Sequence, residues 1–358
     1  MSGSYDLLRS ILFSLDPERA HRLALKALAA GLHPRPERRI PGLGQQLLGL
    51  DFPNPIGMAA GFDKNGEVPD ALLALGFGFT EVGTVTPKPQ PGNPKPRVFR
   101  LPRHHAMINR LGFNGEGHAA VHRRLADRKR VGVVGVNVGA NKTSPDRTAD
   151  YAVGIARFAD VADYFTVNIS SPNTPGLRDL HHEIALSELL SRIFEARDLA
   201  RSRVPILLKI APDLDEAALQ ATAEIALRSG VEGMVVSNTT VARDAIADDP
   251  LAAEAGGLSG QPLFRRSTVM LARVRRIVGR DMVLVGVGGV DSAGTVLDKL
   301  KAGANLVQFY TGMVYEGPGL PARILADLPK LLARDGAASI SDLVGRDVEA
   351  WAAGGPAA

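Results

Sequence analysis

Cysteine is absent from the chain. Its absence excludes disulfides, thiolate metal sites, iron–sulfur clusters and a cysteine nucleophile or base in one step. The net charge is only +4 and the basic residues are scattered. No dense Lys/Arg block is interleaved with aromatics, so nucleic acid is not an expected partner. No stretch has the length and apolarity of a transmembrane helix. Asp6 and Arg9 fall where a signal peptide would need an unbroken apolar region, and no small-residue cleavage pattern follows. Neither a His-rich metal spacing nor paired acidic residues at strand ends can be found, which argues against a metal site and against a hydrolase. There is no low-complexity segment.

What the sequence does contain is a chain of 358 residues, 45% hydrophobic and 22% charged, in the range of soluble globular proteins. A core of that size buries about three quarters of the unfolded surface. Residues 4–31 read as two short helices. Leu8, Ile11, Leu12 and Leu15 share one face of the first, and Asp16-Pro17 starts the second with Asp as N-cap. Residues 1–39 hold seven Lys/Arg against four Asp/Glu, and prolines at 34 and 36 follow. Such a basic, amphipathic pair is either a cap on the main domain or a hairpin lying on a membrane surface.

Beyond residue 53 apolar runs alternate with helical segments. The runs lie at 56–60, 79–83, 133–138, 164–169, 206–210, 233–237, 282–287 and 306–310. Several are continuously apolar, as strands buried on both faces should be. Helix-length connections imply parallel strands, and eight such units predict an α/β fold, a (β/α)8 TIM barrel with a small N-terminal helical pair. An open doubly wound sheet is disfavoured because no Gly-x-Gly-x-x-Gly follows the first strand. Residues 86–110, rich in proline, predict a hairpin inserted at the barrel mouth. The expected division is 1–40 for the helical pair, 41–340 for the barrel and 341–358 for a mobile tail.

In such a barrel, catalysis sits at the C-terminal strand ends. Tyr164–Gly176 begins as a strand, with Phe165, Val167 and Ile169 at period two, and ends in Ser, Asn, Pro and Gly, where Pro172 and Pro175 stiffen the loop. Lys209, Ser237 and Asn238 end later strands, and Gly288-Gly289 and Gly312 follow the last two. Glycine backbones at those two ends can hold a phosphate. Asn109, Asn114, Asn168, Asn173 and Asn238 offer paired donors and acceptors for a flat polar ring. Lys64 and Lys209 add positive charge. A phosphate-anchored organic cofactor beside a planar polar substrate fits this set.

Six motifs then carry a resemblance. They are Ala60-Gly61-Phe62-Asp63-Lys64-Asn65-Gly66, Val82-Gly83-Thr84-Val85-Thr86-Pro87, Asn109-Arg110-Leu111-Gly112-Phe113-Asn114, Asn168-Ile169-Ser170-Ser171-Pro172-Asn173-Thr174, Ser237-Asn238-Thr239-Thr240 and Gly257-Leu258-Ser259-Gly260. In this order they resemble the dihydroorotate dehydrogenases, specifically the membrane-associated, quinone-linked class. That class has an N-terminal helical pair and a serine where the cytosolic class has cysteine; this chain has residues 4–31 and Ser171.

The resemblance implies FMN as cofactor. Ala60, Gly61, Lys64 and Thr84 would line its ring, Asn137, Asn168, Lys209 and Ser237 would bond it, and Gly260, Gly289, Tyr310 and Thr311 would hold its phosphate. Dihydroorotate, leaving as orotate, would meet Lys64, Asn109, Arg110, Leu111, Gly112, Phe113, Asn168, Asn173, Asn238 and Thr239. Ser171 would take the C5 proton while hydride leaves C6 for the flavin. A neutral serine is a poor base, and Thr174 or a water would relay its own proton. At Ser237 many relatives have threonine, and the hydroxyl is kept. The electrons would go to a membrane quinone, ubiquinone, through a greasy tunnel with Leu7, Leu8, Ile11, Leu12 and Leu23 as lining. The resemblance further implies a monomer, peripheral on the cytoplasmic face of the cell membrane, with no metal.

Overall fold

The structure, a computed structural model, describes residues 2–174 and 176–355, leaving aside the side chains at 2–4, 6 and 7. Pro175 and the Leu7 side chain, both invoked above, lie outside the described residues. The chain opens with helices α1 (Ser2–Ser14) and α2 (Pro17–Ala29). Asp16 caps α2 by accepting from the Arg19 N–H at 3.0 Å, with Pro17 at the first helical position. A hairpin of β1 (Gln45–Leu47) and β2 (Leu50–Phe52) follows.

Next come β3 (Ile56–Met58), α3 (Pro69–Ala74), β4 (Phe79–Val85), β5 (Val98–Leu101), β6 (Ala106–Asn109), α4 (Gly117–Ala126), β7 (Val133–Val138), α5 (Arg147–Phe158), β8 (Tyr164–Asn168) and α6 (Glu183–Leu199). The second half holds β9 (Ile206–Ile210), α7 (Glu216–Arg228), β10 (Gly233–Val236), β11 (Gly257–Gly260), α8 (Phe264–Val278), β12 (Val283–Val287), α9 (Ala293–Lys301), β13 (Leu306–Phe309), α10 (Thr311–Glu316), α11 (Leu320–Arg334) and α12 (Val348–Ala352). Strands β3, β4, β7, β8, β9, β10, β12 and β13 close in that order into a parallel barrel. These are the eight runs expected from sequence.

Period-two geometry sorts each strand. Ile206, Leu208 and Ile210 face the helices, as do Phe165 and Val167, whereas the alternate residues point inward. The lowest inner layer is apolar: Phe79, Val133, Tyr164, Leu207, Val235, Val285 and Leu306. Phe52 of the β1–β2 hairpin closes it, its ring 5.4 Å from Phe79 and edge-on. Large rings fit because neighbours lack side chains. A Cβ on Gly57 would lie 2.4 Å from the Phe79 ring, and one on Gly135 2.1 Å from the Tyr164 ring. The inward positions turn polar towards the C-terminal ends, which decides where the site lies.

The 86–110 insertion does form a hairpin, β5 with β6, and β11 joins it as a third antiparallel strand. One expectation fails. The segment beyond residue 340 is not a mobile tail up to residue 355: α12 lies on α8, and Trp351 is buried with its ring edge-on to Phe264 at 6.0 Å. The Ala/Gly composition hid a single large aromatic anchor.

Candidate active site

At the C-terminal strand ends a cavity encloses about 1200 Å3, counting the space at its mouth. Its wall holds Ala60, Gly61, Lys64, Thr84, Asn109, Leu111, Gly112, Phe113, Asn168, Ser171, Asn173, Lys209, Ser237, Asn238, Thr239, Gly260, Gly289, Tyr310 and Thr311. Of the sequence-derived candidates, Asn137, Arg110, Asn114 and the relay residue Thr174 are not part of this wall. Asn137 lies fully buried beneath Thr84, its amide taken up by Glu81 and Thr84. Arg110 turns away to pair with Glu254 at 2.5 Å and to stack on Phe99. Asn114 of the expected asparagine ring is also outside the wall, beneath Gly92.

The inward alternation of the strands explains the floor. Tyr164, Thr166 and Asn168 share one face of β8, so the same parity that buries a tyrosine low delivers an amide at the mouth. Below that amide sits Glu81, which the sequence reading missed. It is fully buried and accepts from Asn137 Nδ2 at 2.7 Å, Gln308 Nε2 at 2.9 Å, Thr166 Oγ1 at 3.0 Å and Tyr164 OH at 3.1 Å. The signal was a lone acid inside an apolar strand, which is found buried only when its oxygens are satisfied.

Glu81 ends a chain of hydrogen bonds. Asn238 Nδ2 donates to Ser170 Oγ at 2.9 Å, and Ser170 Oγ to Asn168 Oδ1 at 2.7 Å. Asn168 Nδ2 donates to Thr84 Oγ1 at 2.9 Å, and Thr84 Oγ1 to Asn137 Oδ1 at 2.5 Å. As a carboxylate, Glu81 only accepts, so every donor in the chain points towards it. The amides of Asn168 and Asn238 are thereby oriented from the barrel core.

Two cations reach the cavity. Lys209 is buried, and among the described residues its ammonium has no hydrogen-bond partner; burial lowers its pKa, with Glu81 acting in opposition. Lys64 donates to the Gly61 carbonyl at 2.7 Å. Burial draws its pKa down to about 8, against the opposing pull of Glu18 and Asp63. Such an ammonium lies ready for a carboxylate or an electron-rich ring.

Ser171 is buried, and its Oγ accepts from the Asn173 N–H at 3.2 Å. Neither an imidazole nor a carboxylate bonds it among the described residues, and no hydrogen bond joins it to Thr174. Its loop is clamped by Arg178, which donates to the Ser170 carbonyl at 3.2 Å, to Asp213 at 2.9 Å and to the Thr239 carbonyl at 3.3 Å. One guanidinium thus ties the ends of β8, β9 and β10.

The opposite end of the cavity is uncharged. Gly260, Gly288 and Gly289 have φ of 98°, 113° and 74°, the left-handed region that favours glycine. A Cβ on Gly289 would meet the Phe264 backbone at 2.5 Å, so the turn presses against α8. The Gly289 and Val290 N–H groups find no acceptor among the described residues. They and the first-turn N–H groups of α10 make a cradle for an anion.

The helical pair touches this site edge-on. His21 of α2 packs against Phe62 at 5.0 Å and Tyr310 at 6.2 Å, and burial lowers its pKa to about 4. Arg97 forms a two-pronged pair with Glu18 at 2.8 and 2.9 Å. Arg100 donates to the carbonyls of Phe13 and Leu15.

A sequence model of the dihydroorotate dehydrogenase family matches residues 42–332. The chain belongs to the dihydroorotate dehydrogenase family. Among its relatives, the dihydroorotate dehydrogenase (quinone) of Rhizobium rhizogenes is 57% identical over 358 residues, covering 98% of this chain and 99% of the relative. That of Brucella ovis is 55% identical over 359 residues and 99% of both chains. In solved structures, a dihydroorotate dehydrogenase of Eimeria tenella in complex with ferulenol superposes with TM-score 0.88 at 36% identity, over 94% of this chain and 98% of that one. Its ligand-free form gives 0.89 at 37%, over 93% and 99%. The similarity to the two relatives covers α1 and α2 as well as the barrel of this dihydroorotate dehydrogenase family member.

Proposed function

We propose that this chain is a quinone-linked dihydroorotate dehydrogenase that oxidises dihydroorotate to orotate, a step of pyrimidine biosynthesis. The observation that carries the reading is the cavity itself: one serine hydroxyl, a wall of oriented amides and two lysines at one end, a glycine cradle at the other. The family is flavin-dependent, and the residues fit FMN in particular. The Lys209 ammonium, without a hydrogen-bond partner among the described residues, and the Asn168, Thr84 and Ser237 groups suit the polar edge of its ring. The Gly289, Val290 and Thr311 N–H groups suit its phosphate, with Gly260 and Tyr310 beside them.

When bound, FMN supplies the hydride acceptor for C6 of dihydroorotate and the route of its electrons to a quinone. The chain does the rest. Lys64 holds the substrate carboxylate, and Asn109, Asn173, Asn238 and Thr239 bond the ring. Leu111, Gly112 and Phe113 shut out water. Ser171 Oγ takes the proton from C5. A neutral hydroxyl is too weak a base alone, so Ser171 gives up its own hydroxyl proton as it takes the one from C5, and that proton leaves to water at the loop, directly or relayed by Thr174.

Residues 1–40 form the quinone and membrane unit, and residues 41–340 the catalytic barrel. The protein acts as a monomer, peripheral on the cytoplasmic face of the membrane, with ubiquinone as acceptor. Leu8, Ile11, Leu23 and Leu32 support this placement, being 47%, 57%, 50% and 74% exposed on the helical pair and its exit. No helix among the described residues is long and apolar enough to cross a membrane. His21, between α2 and the cavity residue Tyr310, marks the way in.

The test is anaerobic titration of the purified full-length protein with dihydroorotate, following visible flavin absorbance. Bleaching by substrate and recovery on adding a ubiquinone analogue are expected. A yellow protein that dihydroorotate leaves unbleached overturns the assignment.

A further inference from the structure

Lys299 of α9 is fully buried. Its stem passes beneath β12, where a Cβ on Gly286 would lie 3.2 Å from Lys299 Cδ. Among the described residues no carboxylate forms an ion pair with it. Its ammonium donates to Ser267 Oγ at 2.6 Å and lies 5.2 Å from the Phe264 ring centroid. An ammonium so placed is expensive, and a methionine, unbranched and uncharged, would carry no such penalty. Burial drives its pKa well below the ordinary lysine value, with only Asp298 opposing.

Its surroundings point to one place. Ser267 Oγ is within hydrogen-bond distance, 3.2 Å, of the Gly288 carbonyl, and a Cβ on Gly288 would lie 2.8 Å from that same Oγ. Phe264, beneath the ammonium, is the residue whose backbone supports Gly289. Lys299 therefore stands directly behind the glycine cradle. The cavity wall drawn from β11, β12, β13 and the residues that follow them contains no charged side chain. The nearest acid on that side, Asp291, is held by Gln261 at 2.8 Å. A phosphate in the cradle would carry close to two negative charges and meet only backbone dipoles and neutral hydroxyls such as those of Ser259 and Thr311.

We propose that Lys299 is the buried countercharge of the FMN phosphate, acting through Ser267 and the Gly288–Gly289 turn. It touches neither cofactor nor substrate and is a positioning residue. In the low dielectric behind the turn its attraction for a dianion is only weakly screened. The inference rests on the FMN reading.

The experiment compares two flavins that differ only in the phosphate. Full-length wild type and Lys299→Met are stripped of flavin, and FMN and riboflavin affinities are read by quenching of flavin fluorescence. Lys299→Gln, which keeps a hydrogen bond to Ser267, is measured in parallel in case the methionine variant does not fold. The expected result is a rise of at least tenfold in the FMN dissociation constant with riboflavin binding changed less than twofold. Equal losses for both flavins would assign Lys299 a structural role and overturn the proposal, as would an unchanged FMN affinity. A wild type that binds neither flavin would instead overturn the FMN reading beneath it.

Discussion

Lys64 ties the charge state of the site to pH. Its ammonium, drawn down to about 8 by burial, is protonated below that pH and neutral above it. If it holds the substrate carboxylate, the product binds by the same contact. Orotate affinity for the oxidised enzyme should be flat from pH 6 to about pH 8 and then weaken, approaching tenfold per pH unit. Spectral titration of the bound flavin at each pH measures it; an affinity constant to pH 9.5 would remove Lys64 from the carboxylate. Most of the site's residues were legible because strand-end polar groups in a barrel converge whatever the details of the loops. Asn137 and Arg110 escaped for a different reason. Motif membership does not say which way a side chain turns, and each found a nearer partner, Glu81 and Glu254. Glu81 itself was invisible because its importance lies in four donors brought from three other strands.

At the level of elements, the helical pair is attached by specific polar contacts. Arg97 is almost wholly buried and gives Glu18 two hydrogen bonds, and Lys95 lies 3.4 Å from the same carboxylate. Burial raises the Glu18 pKa, but the Arg97 and Lys95 contacts outweigh it, so the net shift is downward. A depressed carboxylate contributes its stability at neutral pH and loses it as pH falls through the native pKa. Removing the charge in Glu18→Gln leaves the buried Arg97 without its anion, which costs about 1.5–3 kcal/mol of docking. Transient undocking of α1 and α2 should rise about ten- to a hundredfold. Tryptic cleavage after Arg38 or Arg39 in the linker reads it. Nicking at the wild-type rate would show that the apolar contacts alone hold the pair. The period of the apolar residues sufficed to place α1, α2 and all eight barrel strands. It did not show the β1–β2 plug or α12, each of which carries one large ring onto the barrel, Phe52 and Trp351.

At the scale of the molecule, two demands meet in the first 40 residues. The inner face of the pair must close on the barrel beside the cavity, and Ala20, Leu25 and Leu28 are buried for that purpose. The outer face exposes Leu8, Ile11 and Leu23, while Arg19, Arg22 and Lys26 stand in water around them. The proposed placement of the protein as a monomer on a membrane surface gives that second face a use, that of an interfacial hairpin with a basic rim. Each half-exposed leucine or isoleucine moved into lipid contributes roughly 1 kcal/mol. The triple variant Leu8→Gln, Ile11→Gln, Leu23→Gln should therefore bind anionic vesicles about a hundredfold more weakly. Bleaching of its flavin by dihydroorotate should be unchanged, because none of the three lines the cavity. Turnover with a long-chain ubiquinone in vesicles should fall, while turnover with a short soluble analogue survives. Undiminished co-sedimentation with vesicles would mean that this face covers something other than lipid. Loss of dihydroorotate bleaching in the same variant would mean that the pair shapes the substrate site, and the division of labour between residues 1–40 and the barrel would fail.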